Sequence, residues 1–584
     1  MRVLGISAYF HDSAAALVED GHIIAAAQEE RFSRKKHDAS LPKKAVDFCL
    51  RQAGVSIAEV DHVVFYEKPL KKFERLLVSQ LRAFPRGIGQ FTRAMRTWLT
   101  DRLWVEQSLA SALGCPTSKI LFSDHHLSHA ASAFLCSPFD SAAIVTVDGV
   151  GEWATTSIYR GVSDAEGSRI ELLEELHFPH SIGLLYSAIT AYLGFEVNDG
   201  EYKVMGLAAY GRPRFLEAFE ELCRVEADAS LRITPRYFCY DHHATKSFTP
   251  ALEELLGPAR VPGAALELPA TPGSEAQRFA DVAASLQAFT ERYLVALAAA
   301  AAQRTGERRL ALAGGVALNS VANRKILEHS PIEALFVQPA AGDAGGALGA
   351  ALWATHCLAK LPRGPAMHSA LLGEAHSPAE VHRFLDDCAI AHRRFADPEL
   401  LSEEVADRLA RGEVGGWLNG RFEWGPRALG ARSILADARA PDVKERVNRK
   451  IKLREPFRPF APAVLKEESD RWFVPVTGKD DHTTAFMCSV APATEEARRL
   501  LPAVVHVDGT ARLEVVERGS SPALYRLLQA FRAKTGVGVL LNTSFNLKDE
   551  PICSSPAEAY STYERSELDF LVLEDCLIER RVRQ

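Results

Sequence analysis

His125, His126 and His129 fall within five residues of one another in SDHHLSHAASAF. If that stretch is helical, His125 and His129 stand four apart on one face, a spacing that suits two ligands of one metal ion. His126 then points about 100° away from them. The same pair also fits an ordinary helix surface or a capping role. The zinc-protease pattern H-E-x-x-H needs a glutamate in the second position as general base. That position is His126, so the sequence gives no support to a metalloprotease. Asp148 ends the apolar run AAIVTV, in VDGVGEW. Gly149 and Gly151 beside it would let the backbone approach a phosphate closely, although a plain Asp-Gly turn reads the same way. Asp343, in AGDAGGALG, repeats the arrangement at what reads as a second strand end. Two imidazoles and two carboxylates suit Fe(II), Zn or Mn better than a thiolate-selecting metal.

A second chemistry lies in GRFEWGPRALGARSIL and NRKIKLREPFRPFAP. Their cations are interleaved with Gly, Pro and Phe instead of with helix-surface polar residues. Arginines held in turns beside an apolar wall suit a small dianion, because guanidinium offers a fixed two-pronged donor. A solvated basic face is the plainer alternative. Asp241, His242 and His243 in CYDHHATKSF resemble a metal set but read as loop residues.

The elements that must position these residues alternate. RVLGIS is a predicted strand. AAALVED and HIIAAAQEE form a predicted hairpin around Asp20-Gly21. LPKKAVDFCLRQAGV is a predicted helix from about Pro42 to Gly54, and VDHVVFYE is a predicted strand. Three strand–glycine–helix units follow, at AAIVTVDGVGEW, RRLALAGGVALNSVANRKIL and ALFVQPAAGDAGGALGAALWA. Such units aim backbone amides and helix N-termini at anions and indicate an α/β fold. The Pro- and Gly-punctuated stretch Cys357–Ser377 marks a boundary, giving domains 1–360 and 361–584. In the second, LARGEVGGWLNG and KTGVGVLLNTSFN repeat the α/β pattern. No internal repeat is visible.

The bulk numbers agree with a globular protein of two or three domains. The chain has 584 residues, 47% hydrophobic and 24% charged, with a net charge of −7. An acidic balance argues against bulk nucleic-acid binding. The most apolar helical stretch, YLVALAAAAAQ, is shorter than the roughly 20 residues a membrane span needs and reads as a buried helix. The start lacks a secretory pattern, and the ten cysteines form no C-x-x-C pair. Reduced thiols in a cytoplasmic protein are therefore expected.

The motifs GISAYFHDSAAALVEDG, EERFSRKKHD, SDHHLSHAASAF, DGVGEW, GEYKVMGLAAYG, GGVALNS and GDAGGALGA occur together and in order. The chain in this respect resembles the nodulation-protein-U type O-carbamoyltransferases, relatives of the tobramycin and cephalosporin carbamoyltransferases. The resemblance runs nearly end to end. It implies a TsaD-like N-terminal domain of the actin/Hsp70/sugar-kinase fold and a YrdC-like C-terminal α/β domain. It implies iron held by His125, His129, Asp148 and Asp343, and catalytic roles for His11 and Lys36. It also implies a nucleotide near Gly149, Gly151, Lys203, Gly315 and Asn319. Carbamoyl phosphate contacts fall on Arg427, Lys452, Arg458, Arg512 and Ser544. The chain departs from some relatives at Tyr202, where they carry glycine before the lysine.

The reaction so implied has two steps. Carbamoyl phosphate and ATP give carbamoyl-adenylate in the C-terminal domain. In the N-terminal domain, a hydroxyl of a small-molecule or glycan acceptor, such as a natural product, then takes the carbamoyl group. The metal would act as a Lewis acid, and His11 would accept the hydroxyl proton. Asp241, His242 and His243 would lie near the acceptor. Mg accompanies ATP, neither nucleic acid nor membrane is expected as a partner, and a homodimer is compatible. The rival readings are a tRNA threonylcarbamoyl-adenosine modification enzyme and a non-catalytic nucleotide-binding protein.

Overall fold

Strands β1 (Arg2–Ser7), β2 (Ala14–Glu19) and β3 (His22–Gln28) run antiparallel. The β2–β3 turn places Asp20 and Gly21 at φ 47° and 85°, the left-handed pair that a two-residue hairpin demands. Strands β4 (His62–Phe65) and β5 (Ile120–Phe122) then add parallel to β1. The sheet order is β3-β2-β1-β4-β5. The predicted helix is Lys43–Ala53, closed by Gly54 at φ 67°. The computed structural model describes residues 1–580 apart from 85–87, 101, 244, 453 and 456, with backbone alone at 88–90, 93, 97 and 450.

A second sheet repeats this plan. Strands β6 (Ser141–Val147), β7 (Ala154–Asp164) and β8 (Gly167–His177) run antiparallel. The strands Arg309–Ala313 and Ala334–Val337 follow, parallel to β6. Two sheets of identical order and sense make the N-terminal half a duplicated α/β unit of the actin/Hsp70/sugar-kinase type. The duplication is invisible in the sequence because topology is conserved through burial pattern, not residue identity. Between the sheets pack the helix His125–Phe134 and the helix Asp343–Leu352, the latter buried along its whole length. Their close approach requires Gly349, where a Cβ would stand 1.8 Å from the Ser128 carbonyl oxygen. The alanine-rich stretch lies inside the helix Glu275–Thr305 and is largely buried, as expected.

The C-terminal half is a mixed eight-stranded sheet. Apolar cores cover both of its faces. One core joins the helices Pro398–Ala410 and Pro522–Thr535 through Leu401, Val405, Leu409, Leu524, Leu528 and Phe531. Residues 361–377 form neither helix nor strand. The halves interlock beyond that junction. Asp480–Asp481 pairs with the Ala334–Val337 strand as an extra edge, and Phe422, Trp424, Phe457 and Met487 join the N-terminal core.

Candidate active site

The histidine helix begins at His125, directly after Asp124. Its first amide is satisfied from elsewhere: both Glu152 carboxylate oxygens accept the His125 N–H, at 3.0 and 3.1 Å. Gly151 is needed beside it, since a Cβ there would come within 3.0 Å of both the His125 and His126 rings. His125 and His129 turn to one side, with their Nε2 atoms 3.1 Å apart. His126 turns away and bonds Thr146 Oγ1 at 2.7 Å and Ser157 Oγ at 3.1 Å. Burial, with His125 and His129 nearby, holds its pKa well below the usual range, so it stays neutral.

Asp148 follows β6 directly. Its Oδ2 lies 3.1 Å from His125 Nε2 and 3.7 Å from His129 Nε2, while its Oδ1 accepts the Gly315 N–H at 3.0 Å. Asp343 Oδ1 lies 3.6 Å from each histidine Nε2. Asp343 is not at a strand end as expected. It opens the helix Asp343–Leu352, where the N-terminal dipole favours its charge. One ligand atom from each of the four residues lies within 4.8 Å of the others. Two imidazole nitrogens and two carboxylates converging in a buried recess fit a divalent cation of borderline character. Behind them, Glu67 stands 3.7 Å from His125 Nδ1 and 2.7 Å from Lys72 Nζ. Burial opposes its ionisation, yet Lys72 and His125 bring its pKa down to about 2. An ionised carboxylate behind a ligand imidazole fixes the ring's orientation and tautomer.

His11 lies beside this recess, with Nδ1 3.0 Å from Asp12 Oδ2. Burial disfavours its cation, but Asp343, Asp12 and Asp148 outweigh that and push the pKa up to about 9. Asp12 Oδ1 also meets His37 Nδ1 at 2.8 Å, and His37 Nε2 reaches Asp199 at 3.4 Å. Lys36 pairs with Asp199, and Lys203 lies 3.3 Å from it. Asp12 and His37 both hold left-handed backbone, at φ 52° and 54°, a strain of the kind that clusters at functional sites.

One cavity of about 620 Å³ joins this region to the arginines of the C-terminal half. At the near end it is lined by His11, Lys36, Asp148, Gly149, Lys203, Gly315 and Asn319. At the far end stand Arg427, Arg454, Arg458, Arg512 and Ser544. Burial, then Arg427, Arg454 and Arg458, hold Arg512 well below its usual pKa. Arg427 Nε, Arg512 Nε and Arg454 Nη2 are buried and unpartnered among the described residues. Glu455, 3.6 Å from Arg458, is the nearest compensation. Four arginines gathered beside one carboxylate call for an anion. The loop bearing Arg427 is held by Glu423, whose Oε1 accepts the N–H groups of Leu429, Ala431 and Arg432 at 2.8–2.9 Å. Tyr202, the point of departure from the expected motif, lies under Arg458 at 4.8 Å and bridges the two halves.

Other expected residues have different surroundings. Lys452 does not line the cavity. Its ammonium donates to the Ser544 and Asn546 carbonyls at 2.7 and 2.9 Å and to the Asn546 side chain at 2.5 Å, so it fixes the 544–546 loop. Gly151 packs against the histidines instead of facing the cavity. The Asn319 amide caps the helix Ser320–His329 and pairs with Gln287. Asp241 and His242 pair with each other at 2.6 Å, and of that loop Tyr240 and Ser247 reach the cavity.

The comparisons with known proteins decide the family. The carbamoyltransferase N-terminus family model matches residues 2–352, and the carbamoyltransferase C-terminus model matches 406–580. The chain belongs to the carbamoyltransferase family. Nodulation protein NolNO of Sinorhizobium fredii is 38% identical to this carbamoyltransferase-family chain, covering 98% of it and 79% of the relative. Nodulation protein U of the same organism is 30% identical, with 96% of each covered. An uncharacterized protein of Synechocystis sp. is 44% identical over 99% of the chain and 96% of its own length. Among solved structures, T. kodakarensis HypF aligns at 16% identity and a TM-score of 0.30, covering 62% of this chain and 48% of HypF. No helix among the described residues is long and apolar enough to cross a membrane.

Proposed function

We propose that the protein is an ATP-dependent O-carbamoyltransferase working at two ends of one cavity. The observation that carries this reading is that one cavity, lined both by Asp148 of the carboxylate–imidazole cluster and by Arg427, Arg454, Arg458 and Arg512. Arg427, Arg458 and Arg512 bind carbamoyl phosphate, and Arg454 joins them. Water releases phosphate, and the resulting carbamate oxygen attacks the α-phosphorus of Mg·ATP. Pyrophosphate leaves and carbamoyl-adenylate remains. The arginines neutralise the charge that develops on the phosphoryl oxygens. Lys452 and Glu423 act through the loops they hold.

Carbamoyl-adenylate is water-labile, and an enclosed path to the second end protects it. There the Gly149 and Gly315 backbones and Lys203 face the nucleotide. His125, His129, Asp148 and Asp343 would hold Fe(II) or another divalent ion, which when bound supplies Lewis-acid polarisation of a carbamoyl oxygen. His11, oriented by Asp12, takes the proton of the acceptor hydroxyl. Of the carboxylates that raise its pKa, Asp343 and Asp148 are ones a cation would neutralise, which moves the imidazole toward its neutral form while Asp12 keeps its orientation. The hydroxyl oxygen then bonds the carbamoyl carbon and AMP departs, its charge met by Lys36. The acceptor is a small-molecule or glycan alcohol.

The test is the fate of ATP. With carbamoyl phosphate and a panel of alcohols, cleavage must give AMP and pyrophosphate. Formation of ADP alone would make the duplicated N-terminal fold a kinase and end this reading.

A further inference from the structure

Between β4 and β5 the chain leaves the first sheet for two helices, Pro69–Ala83 and Ile88–Thr100, and the turn Arg102–Trp104. From Lys68 to Trp104 the sequence carries nine Lys or Arg against two acidic residues, in a chain whose net charge is −7. Leu70, Phe73, Leu77, Leu81 and Phe84 follow one another at spacings of three and four, a single apolar stripe. That stripe enters no core. Gln80 is the one buried residue of its helix, and no described side chain between Tyr66 and Val105 belongs to a core cluster or packs on one.

The hairpin is nonetheless built and anchored. Phe73 and Trp98 join its helices with ring centroids 5.6 Å apart. Lys68 and Lys71 pair with Asp124, and Arg75 donates to the Gly151 carbonyl at 2.9 Å. The distal end of the first helix is bare, with Leu81 and Phe84 71% and 68% exposed, and Leu99, beside the Phe73–Trp98 contact, is 56% exposed. Arg82 and Arg96 are exposed, and no ion pair to either is found among the described residues. Isolated apolar residues on a surface are ordinary, but Leu81 and Phe84, one turn apart and both exposed within a cationic segment, mark an interaction site.

We propose that this hairpin docks the protein on an anionic lipid bilayer. Exposed Leu, Phe and Trp beside Lys and Arg, on helices too polar to span, is the composition of an element that lies in the membrane interface. The local positive charge matches an anionic surface, whereas pairing with the same face of a second copy would bring like charges together. A peripheral contact of this kind departs from the expectation that no membrane is a partner. Lys72 lies over the Phe10 ring at 5.2 Å, and half-exposed Phe10 lines the cavity, so the anchored end of the hairpin adjoins the cavity wall.

The test is flotation of the full chain with phosphatidylcholine vesicles, with and without roughly a third phosphatidylserine. Binding must appear with phosphatidylserine, weaken with salt, and fall about tenfold or more in Leu81→Ser/Phe84→Ser and in Arg82→Glu/Arg96→Glu. Both variants must keep the parent's melting temperature and its formation of AMP and pyrophosphate. Equal flotation with both vesicle types, or none with either at low salt, would overturn the proposal. So would a parent that dimerises in sedimentation velocity while the variants do not, since the patch would then belong to a second copy.

Discussion

Three positions separate His126 from His129, and the helix turns them to different tasks. His129 faces two carboxylates and a second imidazole, whereas His126 is spent on Thr146 and Ser157. Metal analysis of anaerobically purified protein should find roughly one divalent equivalent per chain. His129→Ala should lose it and His126→Asn should keep it. Equal metal content in the parent and His129→Ala would remove the site. This contrast was legible in the sequence because it rests on helix periodicity alone. The strand-end turn at Asp148 was legible for a similar reason, as an apolar run broken by glycine. Glu67, His37, Asp199 and Arg454 were not singled out, because Glu67 meets His125, His37 meets Asp12, Asp199 meets Lys36, and Arg454 meets Arg512 only once distant stretches of chain are brought together. Lys452 was misplaced for a related reason. A lysine in a basic motif reads as a phosphate contact until the loop that absorbs its three protons is seen.

At the scale of elements, the short strand Glu514–Val516 carries a buried acid directly behind the arginine end. Glu514 accepts the Asn542 amide N–H at 2.5 Å, and Asn542 lines the cavity. Burial, against the Asn542 bond and helped by Glu423, pushes its pKa up to about 8 from an ordinary 4.5. The folded chain therefore keeps a proton that the unfolded chain releases between those values. The stability this contributes is complete below the unfolded pKa and is lost as pH rises through about 8. Glu514→Gln keeps the shape without the titration. Its melting temperature should gain on the parent's as pH is raised from about 5 to about 8, with no such gain below about 4.5. Parallel melting curves for the two proteins across that range would show that Glu514 does not carry a raised pKa. Most elements themselves were readable from the sequence: the Asp-Gly hairpin, the helix closed by Gly54 and the histidine helix are all set by local residues. The place of Asp343 was not, since glycine after an apolar strand reads as a strand-end turn, whereas the strand stops at Val337 and Asp343 opens the following helix.

The molecule as a whole adds what no segment contains. Two sheets of the same order frame the candidate metal-ligand set, loops and the short strand Thr510–Arg512 of the C-terminal half carry the arginines, and interlocking cores hold them around one cavity. The order of motifs indicated two sites, but not that they share a cavity or that Tyr202 would bridge them. The central claim is a division of labour between the two ends, and it is tested by assaying two variants in two half-reactions. Arg427→Ala should slow formation of carbamoyl-adenylate from carbamoyl phosphate and ATP by about a hundredfold, the equivalent of roughly 3 kcal/mol for one lost charged donor. It should still transfer the carbamoyl group when carbamoyl-adenylate is supplied with an acceptor. His125→Ala should form carbamoyl-adenylate normally and fail to transfer it. Thermal melts on both variants establish that each is folded. Loss of the same half-reaction in both folded variants would contradict the account.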